Sequence, residues 1–123
     1  MSRELVVQII KKKKALHEKH HALVIAELAV EEELAYAPSE KEASFEDKKR
    51  QVNTSKLAIE VKLKRSHLFG QRYAQDFIPS FCIVCFVDHN TESFMMEVES
   101  ELGNGIRQFE CPVCKDILRV NPI

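Results

Sequence analysis

The chain has 123 residues, of which 45% are hydrophobic and 30% charged, and its net charge is −1. This composition is typical of a folded protein of one or two small domains and excludes a disordered, highly charged chain. No apolar run approaches the length of a membrane span and the first residues do not resemble a signal peptide, so we expect a location in the cytoplasm or another reducing intracellular compartment.

The charges separate along the chain. Residues 1–75 carry 15 Lys and Arg against 11 Asp and Glu, a net charge of +4, whereas residues 76–123 carry 3 against 8, a net charge of −5. Affinity for nucleic acid comes mainly from basic groups that contact phosphates. The C-terminal part is therefore not expected to bind nucleic acid by itself.

The first predicted element is a helix from about residue 2 to residue 37, since no Gly or Pro occurs before Pro38. Apolar residues recur in it every seven positions, which is typical of a helix–helix seam. The members of this column are Ile9, Leu16, Leu23 and Val30. Further apolar side chains, among them Leu5, Val24 and Leu28, form a second apolar face. We expect a protein partner or a second copy of the chain to cover that face.

Within this helix, the segment His17-Glu18-Lys19-His20-His21 matches the H-E-x-x-H motif. His17 and His21 would share one helix face, with Glu18 placed as a general base, as in zinc metallopeptidases. The sequence after His21 continues the helix, and no further histidine appears before His67. Because a hydrolytic zinc needs a third ligand and a cleft, we predict that the protein is not an enzyme. The metallopeptidase is kept as the third alternative, and adventitious metal binding by this histidine pair is left open.

A loop near residues 37–44 separates the first helix from a second one. Two capping boxes, Ser39 with Glu42 and Ser44 with Asp47, are alternative starts for the second helix. We expect this helix to end near residue 76, before Pro79.

Two long helices with a short connection predict an antiparallel hairpin over residues 1–78. A tip near residue 40 places residue i opposite about residue 80 − i, so the acidic run 31–33 faces the basic run 48–50. At the other end of the hairpin, basic residues form a collar, composed of Lys11, Lys12, Lys13, Lys14, Lys62, Lys64 and Arg65. This collar could be an ordinary solvated face, or it could hold the acidic C-terminal part or contact phosphates. Of the two functional alternatives we prefer the first, because the opposite charges are already present in the chain.

The four cysteines form two C-x-x-C pairs, Cys82 with Cys85 and Cys111 with Cys114. Thiolates are zinc ligands, and two such turns can close a tetrahedral site with four sulfurs and no open position. Disulfides would need an oxidising compartment, which nothing in the sequence indicates. We therefore predict one structural Zn²⁺ per chain.

Strand-like segments flank these pairs, at 80–87, 93–99, 106–110 and 117–120, with a turn at residues 103–105. With the two cysteine pairs, this pattern resembles the zinc ribbons over residues 80–120. Glycine often follows the second cysteine of such turns, but Phe86 and Lys115 stand there instead. Either these turns differ, or they accept strain.

The whole predicted architecture is α+β, with a helical hairpin over residues 1–78 followed by a zinc ribbon over residues 79–123. Its overall shape is loosely similar to that of the DksA class of transcription regulators, although the acidic tip motif of that class is not matched. We expect a non-catalytic adaptor or regulator that acts through protein–protein contacts of its hairpin. The alternative is a transcription factor or other nucleic-acid-associated protein that uses the basic collar.

Overall fold

The computed structural model describes residues 3–122 and shows an α+β protein. Its elements are α1 (Arg3–Tyr36), one 3-10 turn (Ser39–Lys41), α2 (Glu42–Tyr73), α3 (Ile83–His89), β1 (Met96–Val98), β2 (Arg107–Glu110) and β3 (Ile117–Val120). The strands form one antiparallel sheet in the order β1-β2-β3. None of the helices in residues 3–122 is long and apolar enough to cross a membrane.

The two long helices are close to the prediction. The first lacks Gly and Pro throughout, and the second begins at the earlier of its two predicted starts, directly after the 3-10 turn. It ends at Tyr73, three residues before the predicted end, where Ala74 still donates a helical hydrogen bond to Gly70.

The residues group into two compact units. The cysteine unit combines Met1–Lys13 with Leu63–Ile123, and the helical unit is Lys14–Lys62. The beginning of α1 and the end of α2 therefore belong to the unit that holds the cysteines. Independent folding of residues 1–78 and 79–123 stays a prediction, which hydrogen–deuterium exchange of the zinc-loaded and chelated protein can test.

In the helical unit, polar side-chain pairs join α1 to α2 in antiparallel order. Lys49 Nζ lies 3.2 Å from Glu31 Oε1, and Lys56 Nζ lies 2.9 Å from Glu27 Oε2. His20 Nε2 lies 3.1 Å from Glu60 Oε1. The pair of Glu31 and Lys49 confirms the predicted match between the acidic and basic runs. Partly exposed pairs contribute only about 0–1 kcal/mol each, so they select the register more than they stabilise the unit.

In the cysteine unit, one polar stripe of α1 is bound by the C-terminal part of the chain. Three side chains spaced by four residues take part, because residues i and i+4 share a helix face. Lys12 Nζ lies 2.7 Å from an Asp88 oxygen and Gln8 donates to Asp116 at 2.9 Å. Glu4 accepts a hydrogen bond from the backbone N–H of Asn121 at 3.2 Å.

The end of α2 packs against α3 through aromatic side chains. Phe69 is fully buried, and its ring centroid lies 5.4 Å from that of Phe86 and 4.9 Å from that of Tyr73. Arg65 donates a hydrogen bond to the carbonyl oxygen of Val87, close to the end of α3. Together with the pair of Lys12 and Asp88, this contact confirms the prediction that the acidic C-terminal part contacts residues of the basic collar.

The prediction of a strand at residues 80–87 is wrong, because residues 83–89 form α3. Phe86 donates its backbone N–H to the carbonyl oxygen of Cys82, and the helix ends at His89, followed by Asn90 in the left-handed conformation. Ile83, Phe86 and Val87 are all buried. A short run of apolar residues has the same pattern in a buried strand as in a buried helix turn, so hydrophobic periodicity could not distinguish the two.

The sheet follows the other three predicted strands, with a shorter first one. The segment before β1 forms a β-bridge between Phe94 and Phe81. The predicted turn is confirmed by positive φ angles at Gly103, Asn104 and Gly105. Only the side of the sheet that carries Phe109 and Leu118 is buried.

Candidate metal centre

The first cysteine pair lies at the start of α3. Cys82 has extended backbone just before the helix, and Cys85 lies in the first turn, where the helix brings both sulfurs toward the same point. The backbone N–H of Thr91 bonds to the carbonyl oxygen of Cys85 at 3.0 Å and closes the far end of the helix. Here the turn differs from the glycine-containing turn of the zinc ribbons, because Phe86 continues as helix.

The second cysteine pair lies in the tight connection between β2 and β3. The N–H of Cys111 bonds to the carbonyl oxygen of Asp116 at 2.9 Å, and the N–H of Lys115 bonds to that of Cys111 at 2.9 Å. Lys115 has φ +67°, the left-handed conformation that glycine adopts without cost. The two alternatives in the sequence are thus both realised, a different turn at Phe86 and a left-handed non-glycine residue at Lys115.

A third segment connects the two pairs. Cys82 donates its N–H to the carbonyl oxygen of Ser93 at 2.9 Å, and the Ser93 hydroxyl lies 3.2 Å from Cys111 Sγ. Ser93 is 6% exposed and Met95 packs against the cysteines. The sequence did not single out Ser93, and its only signal is a small polar residue directly before the apolar run 94–96.

The four cysteine sulfurs all lie within 4.8 Å of one another. Cys82 Sγ is 3.4 Å from Cys114 Sγ, and Cys85 Sγ is 3.6 Å from Cys111 Sγ. A disulfide would bring two sulfurs to about 2.05 Å, and all four cysteines are free. Three of them are buried and Cys114 is partly exposed, so the cluster is closed on most sides.

The surroundings set different protonation tendencies for these thiols. Burial raises the pKa of Cys82 far above its ordinary value and raises that of Cys85 to about 11. Burial acts on Cys111 as well, but hydrogen bonds from the Cys114 backbone N–H and the Ser93 hydroxyl outweigh it and lower its pKa to about 6. These hydrogen bonds favour the thiolate form at Cys111, and a metal ion would displace protons from Cys82 and Cys85.

This geometry fits a single metal ion. A tetrahedron of sulfurs around an ion at about 2.3 Å has edges of about 3.8 Å, close to the two sulfur–sulfur distances in the cluster. The spacing of Cys82, Cys85, Cys111 and Cys114 therefore agrees with the ligand set expected from the sequence. In residues 3–122, these cysteines form the only group of three or more metal-ligating side chains.

The H-E-x-x-H segment lies elsewhere, in the helical unit. His17, Glu18 and His21 are exposed on α1, while His20 pairs with Glu60. Within the described part of the chain, no third ligating side chain joins His17 and His21 in a metal-binding group. The structure therefore adds no support to the metallopeptidase alternative, which stays untested.

Comparisons with protein-family models, with curated proteins and with solved structures found no match to this chain. Its function is therefore inferred from the cysteine cluster and from the surface of the protein.

Proposed function

We propose that the chain is a non-catalytic adaptor or regulator with a structural zinc ribbon, which acts through protein–protein contacts of its helical hairpin. The observation that carries the proposal is the closed cluster of four cysteine sulfurs. Four protein ligands leave no coordination position for a substrate or a reactive water, as is usual in structural zinc sites. The resemblance to zinc ribbons from the sequence supports the same assignment.

Zinc is proposed because it suits both the ligands and the geometry. Tetrahedral sites with four sulfurs favour zinc or iron–sulfur chemistry, and zinc needs no redox partner and takes its geometry from the protein. Within residues 79–122, the predicted zinc ribbon, three short strands and one short helix surround the cluster. Small modules of this kind need a staple, since their apolar core contributes too little.

The purified protein is expected to carry about one zinc ion per chain, because the cluster supplies one complete ligand set. Elemental analysis of protein purified under reducing conditions measures the metal, and a mercurial titration should release it with loss of four thiols. The variant Cys85→Ser should lose most of the zinc, whereas Ser100→Ala, a change outside the cluster, should retain it. Less than half an equivalent of zinc in the reduced wild-type protein would contradict the proposal.

The hairpin is proposed as the contact element because apolar side chains remain exposed in the helical unit. Ile25 is 54% exposed, Leu28 60% and Leu57 51%. Leu28 belongs to the second apolar face predicted from the sequence and is open to a partner. Leu5 was predicted on the same face, but it is buried within the cysteine unit at 1% exposed, so only the part of the face in the helical unit is open. Exposed apolar surface of this kind often marks a protein–protein interface.

A second copy of the chain is the simplest partner, so the protein is expected to dimerise at micromolar concentration. Leu28→Glu should shift the sedimentation profile toward the monomer, because a charge would be buried in the interface. Leu102→Glu is the matched control, since Leu102 is similarly exposed at 54% but lies in the cysteine unit. If the protein stays monomeric at high concentration, self-association is refuted, and the exposed apolar side chains of the hairpin are assigned to contact with a different protein.

Nucleic-acid binding through the basic collar ranks second. Lys12 and Arg65 already bind Asp88 and Val87 within the protein, which reduces the basic groups that could contact phosphates. The net charge of residues 1–75, +4, is the observation that keeps this alternative. Salt-dependent retention of the full chain on DNA or RNA would favour it.

A further inference from the structure

The sheet of the cysteine unit has an apolar outer face. The strand register places Met96 beside Glu110 and Glu110 beside Ile117, so these three side chains point to the same side. Met96 is 58% exposed and Ile117 is 42% exposed. Phe94, two residues before Met96 and 68% exposed, extends the row. We name Phe94, Met96 and Ile117 the outer face.

The fold itself does not require these apolar residues. The core of the sheet lies on the opposite side, where Phe109 is 3% and Leu118 is 8% exposed. An antiparallel sheet with one buried side normally carries polar residues on the other side. The outer face breaks that alternation at three neighbouring positions, which indicates a binding surface.

One residue of the outer face, Phe94, is also held in place by contacts between aromatic rings. The ring centroid of Phe94 lies 4.7 Å from that of Phe81, which in turn lies 4.9 Å from that of Tyr73 on α2. This row of rings leads to the buried Phe69, 4.9 Å from Tyr73. A side chain fixed in this way loses little conformational entropy when a partner covers it.

The surroundings of the outer face are acidic. The side of the sheet that carries the outer face has one acidic residue, Glu110 between Met96 and Ile117, and one basic residue, the exposed Arg119 beside Gln108. The loop after β1, here called the acidic loop, adds the exposed Glu99 and Glu101. The whole segment 76–123 has a net charge of −5. Such a surface attracts basic partners and repels phosphates and anionic headgroups.

We propose that the outer face binds a protein segment in which apolar side chains alternate with lysine or arginine. The apolar side chains would cover Phe94, Met96 and Ile117, and the basic ones would pair with Glu110 and the acidic loop. A second copy bound through the same face is disfavoured, because both copies would bring the same excess of acidic side chains, Glu110, Glu99 and Glu101, to the contact. The proposal concerns a surface separate from the hairpin and requires only that the metal holds the sheet.

The test measures binding of short labelled peptides to the zinc-loaded full chain by fluorescence anisotropy. One peptide alternates leucine with lysine, a second replaces every lysine by glutamate, and a third replaces every leucine by serine. The leucine–lysine peptide is expected to bind at least about tenfold more tightly than either of the others, because the surface offers both apolar contact and negative charge.

Met96→Lys and Ile117→Lys should each weaken binding of the leucine–lysine peptide by about tenfold, since each places a like charge in the contact. Tyr36→Lys is the matched control, because it adds the same charge at an exposed side chain of the helical unit, outside both the outer face and the acidic loop. The affinity of this control variant for the leucine–lysine peptide should remain within about twofold of that of the wild type, as expected for a change away from the contact.

Four results would overturn the proposal. They are failure of the leucine–lysine peptide to bind, equal binding of the serine–lysine peptide, unchanged affinity in Met96→Lys, and self-association that Met96→Lys abolishes. The last result would assign the face to a second copy of the chain. Zinc is measured on the same samples. If the protein carries its full zinc content but does not discriminate between the peptides, only the proposal for this binding surface is refuted. If the protein carries no zinc, the proposed function is refuted.

Discussion

Chelation of the metal is expected to unfold the whole cysteine unit, including the helix ends that belong to it. Structural zinc contributes an apparent binding free energy of about 10–16 kcal/mol in small modules. The free energy of unfolding of a whole domain is only about 5–15 kcal/mol, so the remaining contacts cannot offset the stabilisation that is lost with the metal. Leu5 and Ile9 of α1 and Phe69 of α2 are buried in this unit and would become exposed.

Hydrogen–deuterium exchange of the zinc-loaded and chelated protein measures this effect along the chain. Amides of residues 3–13 and 63–73 should lose protection on chelation, while those of residues 14–62 should change least. Cys111→Ser should reproduce the chelated pattern without a chelator. Retained protection at residues 63–73 would contradict this expectation and would support the division at residue 78 that the sequence predicted.

Phe69→Ala is expected to lower the free energy of unfolding by about 3–5 kcal/mol, because it removes a fully buried aromatic ring. The lost contacts include those with Phe86 at 5.4 Å and Tyr73 at 4.9 Å, measured between ring centroids. Urea unfolding of the zinc-loaded protein gives the free energy, and the zinc content of the folded variant shows whether the metal site survives.

Leu68→Ala is the control, since Leu68 precedes Phe69 on α2 and its own side chain is 37% exposed. It should cost less than about 1 kcal/mol, as is typical of changes outside a core. A similar loss of stability in both variants would show that the packing of α2 on α3 does not stabilise the protein beyond ordinary helix contacts.

The sequence by itself determined those features that rest on local or repeated signals. The absence of Gly and Pro before Pro38 predicted the extent of α1, because nothing interrupts the helical hydrogen bonds. The acidic run at 31–33 and the basic run at 48–50 predicted the antiparallel order that the pair of Glu31 and Lys49 confirms. The spacing of the four cysteines predicted that their sulfurs would lie together, since each C-x-x-C turn directs its two sulfurs by local geometry alone.

Only the tertiary structure decided how the segment from Phe81 to Val87 folds. Its residues favour a strand by composition, but burial on several sides and the contact of Phe86 with Phe69 select the helix α3. Likewise, Ser93 reaches Cys111 because the chain segment 93–95 pairs with residues 80–82, a contact between distant positions. The polar stripe of Gln8 and Lys12 has a helical spacing that the sequence shows, but its partners Asp116 and Asp88 lie 108 and 76 residues away. Contacts over such separations depend on packing free energies of the whole unit, which no local pattern contains.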